Sequence, residues 1–297
     1  MLGCKFFQNY FSNVFVSIVQ KDLQWIVHAK VFRNNRLRKE FSKSFDIYDN
    51  LSIEMEEYLT ELQDEYKFSY IALFLNSDNQ GAIDGVNKDR FEKHGLDVND
   101  ITYFDIENRW SVYSSNEDMN FASGLFEKVG LDFIYSPFIV QYELIRKEKP
   151  KDKPTLYLLH HDNYITISIF HNSHLLLGRC FKIDADDQYD DEDMTEEEGV
   201  KSIIEFDDFS DEEFINFKDV EVVSRDMSIY RYLESTLNEF YKDPLYNSSF
   251  IDTIVVSDDC EISLELAQMI ENELFMDIEM YEVNMSAIIC DISRKEV

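Results

Sequence analysis

The sequence is short of bases, prolines and cysteines, and it contains no long apolar run. No stretch approaches the roughly 18 uncharged apolar residues that cross a bilayer. The opening Met1-Leu2-Gly3-Cys4-Lys5-Phe6-Phe7 lacks the long apolar core and small-residue cleavage site of a secretory leader. A cytosolic protein with no direct membrane insertion is expected. Cys4, Cys180, Cys260 and Cys290 are widely scattered with no Cys-x-x-Cys pair, which argues against a disulfide frame or zinc module and for buried, reduced thiols. Cys4, beside Phe6, Phe7 and Phe11, also fits a membrane-proximal or lipidated thiol, a weaker match.

Bases number 28 against 60 acids, a net charge of −32. Nucleic acid and bare anionic lipid would be repelled at long range, so neither is expected as the main partner. From Asp184 to Glu213 there are sixteen acidic residues and one base, Lys201, so this stretch holds 15 of the 32 excess charges. It is too acidic to pack throughout and reads as an insertion over residues 184–218, largely disordered. Phe206, Phe209, Phe214 and Phe217 interrupt it and could dock as a short amphipathic piece on the protein itself or on a partner.

With 297 residues, 44% of them apolar, the chain suffices for one large bilobed domain or two ordinary ones. Val14 to Val19, Trp25 to Phe32 and Leu37 to Phe45 read as a three-stranded meander with turns at Gln20-Lys21-Asp22 and Asn34-Asn35. Asn50 or Ser52 then caps a helix with apolar positions Ile53, Met55, Leu59, Leu62 and Tyr66, and Tyr70 to Leu75 is a strand covered on both faces. The order βββαβ recurs from Thr155. Thr155 to Leu159, Tyr164 to Phe170 and His174 to Ile183 form a second meander, with turns at His161-Asp162-Asn163 and His171-Asn172-Ser173. A helix over Met227 to Tyr241 and a strand from Phe250 to Val256 complete the repeat, and a helix from Ser263 to Leu274 and a strand from Ile278 to Val283 follow. Between the halves, Lys147 to Pro154 is charged and holds two of four prolines, the composition of a linker. The expected architecture is α/β with a duplicated βββαβ core: residues 1–150 form a first lobe with a small inserted subdomain at about 77–115, and residues 151–297 a second lobe carrying the acidic insertion.

This duplicated order resembles the actin-like, ribonuclease H-like ATPase superfamily. Two local patterns resemble its secretion branch, the PilM and GspL proteins. One runs from Asn116-Glu117-Asp118-Met119 through Glu127-Lys128-Val129-Gly130-Leu131-Asp132 to Pro137-Phe138, a helix, a left-handed stop at Gly130, a short strand and an apolar helix. The other is the hairpin from Ile165 through His174 to Gly178-Arg179. ATP-binding members of the superfamily use glycine-bearing turns that let backbone amides approach phosphates, with acidic residues that hold hydrated magnesium. Here the first turn reads Gln20-Lys21-Asp22-Leu23-Gln24. The expected Asp-x-Gly falls near Leu159-His160-His161, with Asp162 and Asn163 shifted along, and the adenosine turn reads Ser257-Asp258-Asp259. Asp22, His160, His161, Asp162, Ser257, Asp258 and Asp259 are therefore read as degenerate nucleotide-site positions. Side chains would fill the phosphate space, with two extra carboxylates facing a polyanionic ligand.

Other residues offer weaker signals. His160, His161, His171 and His174 lie within fifteen residues and raise the question of a metal site, but His160 and His161 point to opposite faces of a strand and His171 and His174 bracket a turn. No metal, cofactor or catalytic residue is expected. Asp258 and Asp259 could form an acid pair, but they read more simply as caps, Asp259 at a helix N-terminus. Trp25, Phe32, Trp110 and Tyr113 read as core or hairpin-face residues. The resemblance implies a non-catalytic cytoplasmic scaffold of a type IV pilus, a type II secretion or DNA-uptake system, or a flagellar-motor accessory ring. It would bind the N-terminal peptide of a PilN-like single-span inner-membrane protein in a first-lobe groove near the insertion, and assemble as a ring-forming homo-oligomer. An active ATPase or sugar-kinase-like enzyme of the same superfamily, and an acidic protein-interaction module, are the rival expectations.

Overall fold

The computed structural model describes residues 11–48, 50–149, 151–183, 217–246, 248–260 and 262–297. In the first half, β1 (Asn13–Lys21), β2 (Gln24–Arg33) and β3 (Arg36–Asp46) form the antiparallel meander. Gln20 and Lys21 pair with Trp25 and Gln24, so the first turn is Asp22-Leu23, one step later than the expected Gln20-Lys21-Asp22. Asp22 and Leu23 have φ of +49° and +61°, and Asn34 and Asn35 +53° and +58°. Left-handed pairs of this kind match the twist of tight hairpins. Helix α1 (Ile53–Glu65) starts at Ser52, whose hydroxyl accepts from the Met55 amide at 3.2 Å, and buries Met55, Leu59 and Leu62. Then β4 (Phe68–Phe74) returns parallel to β1.

The segment that follows is β5 (Gln80–Asp84), a short helix α2 (Lys88–Lys93), β6 (Ile101–Ile106) and β7 (Trp110–Ser115). Helix α3 (Asn116–Leu125) is capped by the Ser115 hydroxyl. Gly130, at φ +81°, closes the turns after it, its amide donating to the Phe126 carbonyl at 2.7 Å. Strand β8 (Phe133–Tyr135) and helix α4 (Pro137–Ile145) end the half.

The second half repeats the plan with β9 (Thr155–His161), β10 (Tyr164–His171), β11 (His174–Lys182), α5 (Phe217–Lys242), β12 (Thr253–Asp258), α6 (Leu264–Glu273), β13 (Asp277–Glu282) and α7 (Met285–Glu296). Helix α5 begins ten residues before the expected Met227, so the end of the expected insertion is helical. Residues 184–216, with Phe206, Phe209 and Phe214, lie outside the described residues.

The smaller sheet has the order β3-β2-β1-β4-β8, and the larger one β13-β12-β9-β10-β11-β5-β7-β6. Read from β11 to β13, the larger sheet repeats the order of the smaller, with the same parallel pairing of first and fourth strands. This is a duplicated, two-lobed α/β core. The remaining strands of the larger sheet come from residues 80–115. Strand β5 pairs with β11, opposing Ala82 to Gly178 and Gly81 to Arg179. A Cβ on Gly178 would lie 2.8 Å from the Ala82 Cβ and 3.0 Å from its carbonyl oxygen, so this pairing needs glycine.

Each half also lends a helix to the other. Helix α7 lies on the first sheet, where Met285, Ile289 and Ile292 are buried with Val19, Ala72 and Phe74. Each of these three side chains contributes about 1.5–3 kcal/mol. The buried Lys30 ammonium donates to the Ala287 carbonyl and to Asp291, both at 3.0 Å, and the Ser17 hydroxyl donates to the Ser286 carbonyl at 2.8 Å. Reciprocally, α4 buries Phe138 and Tyr142 with Tyr157 and Phe170 of the second sheet. There the Gln141 amide donates to the Tyr157 carbonyl at 3.0 Å and its oxygen accepts from Ser168 at 2.6 Å.

Candidate functional site

Three turns meet where the lobes join: β1–β2, with Lys21 and Asp22; β9–β10, with His161 and Asp162; and the turn after β12, with Asp258, Asp259 and Cys260. The Asp22 amide donates to Asp162 Oδ1 at 3.0 Å. His161 Nε2 lies 2.8 Å from the Gln20 carbonyl and Nδ1 lies 2.9 Å from Asp259 Oδ2. A carbonyl only accepts, so Nε2 carries the hydrogen. Lys21 donates to the Asp259 carbonyl, and its ammonium stands 3.5 Å from Oδ2 of the same residue. Burial works against the Lys21 charge, but Asp259 outweighs it and holds the ammonium pKa above the ordinary lysine value. The Asp162 amide donates to Cys260 Sγ at 3.0 Å, and burial pushes the Cys260 thiol up to about 11.

The lobes are thus joined by side chains from all three turns. The gap behind His161, bordered by Phe74, Leu75, Asn76 and Cys180, is about 10 Å³. It holds one water at most.

The seven sequence-selected residues divide in two. Asp22, His161, Asp162 and Asp259 meet at the join. His160, Ser257 and Asp258 are buried within the second lobe. His160 Nδ1 bonds to Asp258 Oδ1 at 2.9 Å, while its buried Nε2 has no partner among the described residues. Asp258 also accepts from the Cys260 amide at 3.0 Å and from the Ile262 amide. Burial raises its pKa, but His160 and the two amides outweigh this and hold the carboxyl below the usual carboxylate range. Two expectations are corrected here. Only Asp259 of the acid pair faces the join, because Asp258 is committed inward to closing its own turn. Asp259 does not cap α6 either: Ser263 does, its hydroxyl accepting from the Leu266 amide at 3.0 Å.

His171 and His174 flank the Asn172-Ser173 turn, remote in register from His160 and His161, so the four histidines form no common cluster. Trp110 is buried against Tyr142 and Phe170, Phe32 lies against Phe15, and the half-buried Trp25 meets Phe126 edge-on. Cys260, which sequence reasoning assigned to core packing, sits at the join. Its adjacency to His161, 99 residues earlier, leaves no local trace in the sequence.

A second concavity of about 540 Å³ lies between β6 and β8, the outer strands of the two sheets, with α4 as its floor. Tyr103, Phe104, Ile106, Phe133, Ile139 and Tyr142 give it an apolar lining, and Phe104 is 68% exposed. Asp105, Glu107, Asp132, Glu143 and Glu296 make its charged border mostly acidic, with Arg146 opposing them.

A solved structure from Bacteroides thetaiotaomicron, described as a protein with actin-like ATPase fold and unknown function, covers 98% of this chain and 98% of its own at a TM-score of 0.50 and 12% identity. The fold is the actin-like ATPase fold. The PilM-PilN type IV pilus biogenesis complex is similar at a TM-score of 0.49 and 10% identity, with 94% of each chain covered. An exopolyphosphatase from Cytophaga hutchinsonii matches at 0.36 and 10% identity, over 82% of this chain and 66% of its own. Residues 11–142 match the family model Domain of unknown function (DUF8569), and residues 156–297 match Domain of unknown function (DUF8341). No curated protein matches the sequence. Among the described residues no helix is long and apolar enough to cross a membrane.

Proposed function

We propose that this actin-like fold serves as a non-catalytic scaffold that captures a peptide in the groove between β6 and β8. The observation that carries the reading is the meeting of two sheet edges over an apolar floor. An extended segment laid there could hydrogen-bond to a free strand edge and seat alternate side chains among Phe104, Phe133 and Tyr142. The acidic border favours a partner whose apolar anchor is flanked by Lys or Arg, the chemistry of a juxtamembrane tail on a single-span, PilN-like protein. The joined turns support the absence of catalysis: His161, Asp259 and Lys21 occupy turns that the resemblance assigns to phosphates in nucleotide-binding members, where backbone amides would have to approach. In this reading the protein is peripheral to the inner membrane through its partner and assembles as a ring.

Calorimetry tests both halves. A synthetic peptide with an apolar anchor and a Lys/Arg flank should bind wild-type protein, and Phe104→Asp should weaken it at least tenfold while leaving the melting temperature unchanged. ATP with magnesium should give no heat even at millimolar concentration. Magnesium-dependent ATP binding would replace the scaffold reading with that of an enzyme, and a peptide indifferent to Phe104→Asp would remove the groove from it.

A further inference from the structure

His161, Asp259 and Cys260 place a ring nitrogen, a carboxylate oxygen and a thiol sulfur within 4.8 Å of one another. His161 Nε2–H is committed to the Gln20 carbonyl, so in the neutral ring the Nδ1 lone pair faces Asp259 Oδ2 at 2.9 Å. Two lone pairs at that separation repel unless a proton or a metal cation lies between them. His161 is 2% exposed and cannot relieve the contact by turning to water. Its bond to a backbone carbonyl is also the outer-shell arrangement that orients metal-ligating histidines. The Asp162 amide also donates to Cys260 Sγ at 3.0 Å.

We infer that His161 Nδ1, Asp259 and Cys260 bind a divalent transition metal, Zn²⁺ by the chemistry of the set, at the join of the lobes. A mixed nitrogen, oxygen and sulfur set suits zinc and disfavours magnesium, which demands hard oxygen ligands. At 2.9 Å, ligands each about 2.0–2.1 Å from one ion would subtend about 90°, so binding spreads the nitrogen and oxygen by about 0.4–0.5 Å toward the tetrahedral angle. Solvent completes the tetrahedron. On binding, the Cys260 S–H bond breaks and its proton leaves to solvent, as does the proton held between His161 and Asp259, and the freed sulfur and nitrogen pairs bond to the metal. The ion displaces the Lys21 ammonium, which stands 3.5 Å from the same Asp259 oxygen on a flexible stem. Bound there, the metal fixes the ring whose other nitrogen holds the first-lobe hairpin through Gln20. The inference stands apart from the peptide groove and neither requires nor excludes it.

Full-length protein, stripped with chelator and dialysed against Zn²⁺ or Co²⁺, is the material for the test, with elemental analysis and absorption spectroscopy as readouts. One metal per chain is expected, and the cobalt form should show a near-ultraviolet thiolate-to-cobalt charge-transfer band. Cys260→Asp should keep the zinc but lose that band, and His161→Ala should lose the metal. Lys21→Ala should tighten binding. Affinity should rise with pH, because the metal and protons compete for the same ligand atoms. Substoichiometric metal in the wild type, or a charge-transfer band that persists in Cys260→Asp, would overturn the assignment and leave a proton bridging His161 and Asp259. Circular dichroism of each variant separates loss of the site from loss of fold.

Discussion

The two lobes share one strand order but treat their third strand differently. In the first, β3 is the sheet's edge, and its start, Arg36-Leu37-Arg38-Lys39-Glu40, is exposed throughout. In the second, β11 is buried inside an eight-stranded sheet because β5 pairs with it. One edge is guarded by charge, which discourages pairing with another chain, and the other by a strand of the same chain. The same core therefore tolerates two solutions to an exposed edge, and each leaves its own residue signature: cations on β3, glycines at the β5–β11 contact.

This comparison can be broken most forcefully at Gly178. Its added Cβ would overlap the Ala82 backbone and Phe138 at 3.0 Å or less, so Gly178→Ala should cost about 2–3 kcal/mol. Ser44→Ala, on the exposed β3, should stay within about 0.5 kcal/mol. Denaturant midpoints decide it, and equal midpoints would refute the contrast.

The next largest effect concerns the strands parallel to the first of each lobe. Strand β12 ends in the buried carboxylate Asp258, whereas the chain after β4 continues as the uncharged Leu75-Asn76-Ser77. Asp258 has a folded pKa below its unfolded one, so its contribution is fully present above the ordinary aspartate value of about 3.9 and is lost as pH falls through the lower folded value. Asp258→Asn should destabilise by about 1–2 kcal/mol at neutral pH and flatten the loss of stability below about pH 4, as followed by thermal melts.

The two first hairpins give a smaller test. Leu23 sits at φ +61° and is 77% exposed, whereas in the second lobe's turn Asp162, at φ +51°, is left-handed and Asn163, which corresponds to Leu23, is not. Left-handed backbone is costly for leucine and easier for asparagine. Leu23→Asn should therefore raise stability by about 0.5–1 kcal/mol, seen as a higher melting temperature. Smallest in stability is the charge guard itself. Replacing Arg38 and Lys39 with Thr should move the midpoint by less than about 0.5 kcal/mol yet promote self-association in light scattering.

Most of the repeated core was legible because each element rests on local periodicity: the alternation of the meanders, the helical spacing of Met55, Leu59 and Leu62, and the apolar run at Tyr70 to Leu75. The failures have a common cause in distance. Nothing near Gly81 or Gly178 announces that they will face each other, and the clustering of four histidines directed attention to neighbours in sequence when the partners of His161 are Gln20 and Asp259. The early start of α5 was hidden by Val220, Val222 and Val223, whose β-branched side chains weaken a helical reading. Asp259 was misread as a cap because aspartate before a helix has two uses, and only the position of Lys21 selects between them.

The exchange of α4 and α7 between the halves bears on how the chain is made. As it leaves the ribosome, the first lobe emerges without the helix that covers one face of β1 and β4, because residues 285–296 follow the whole second half. Its apolar sheet waits through synthesis of the whole second half, and α4 waits for the strands it will cover. Neither lobe is a unit of synthesis, and a chain cut before residue 285 leaves one face of the first sheet uncovered.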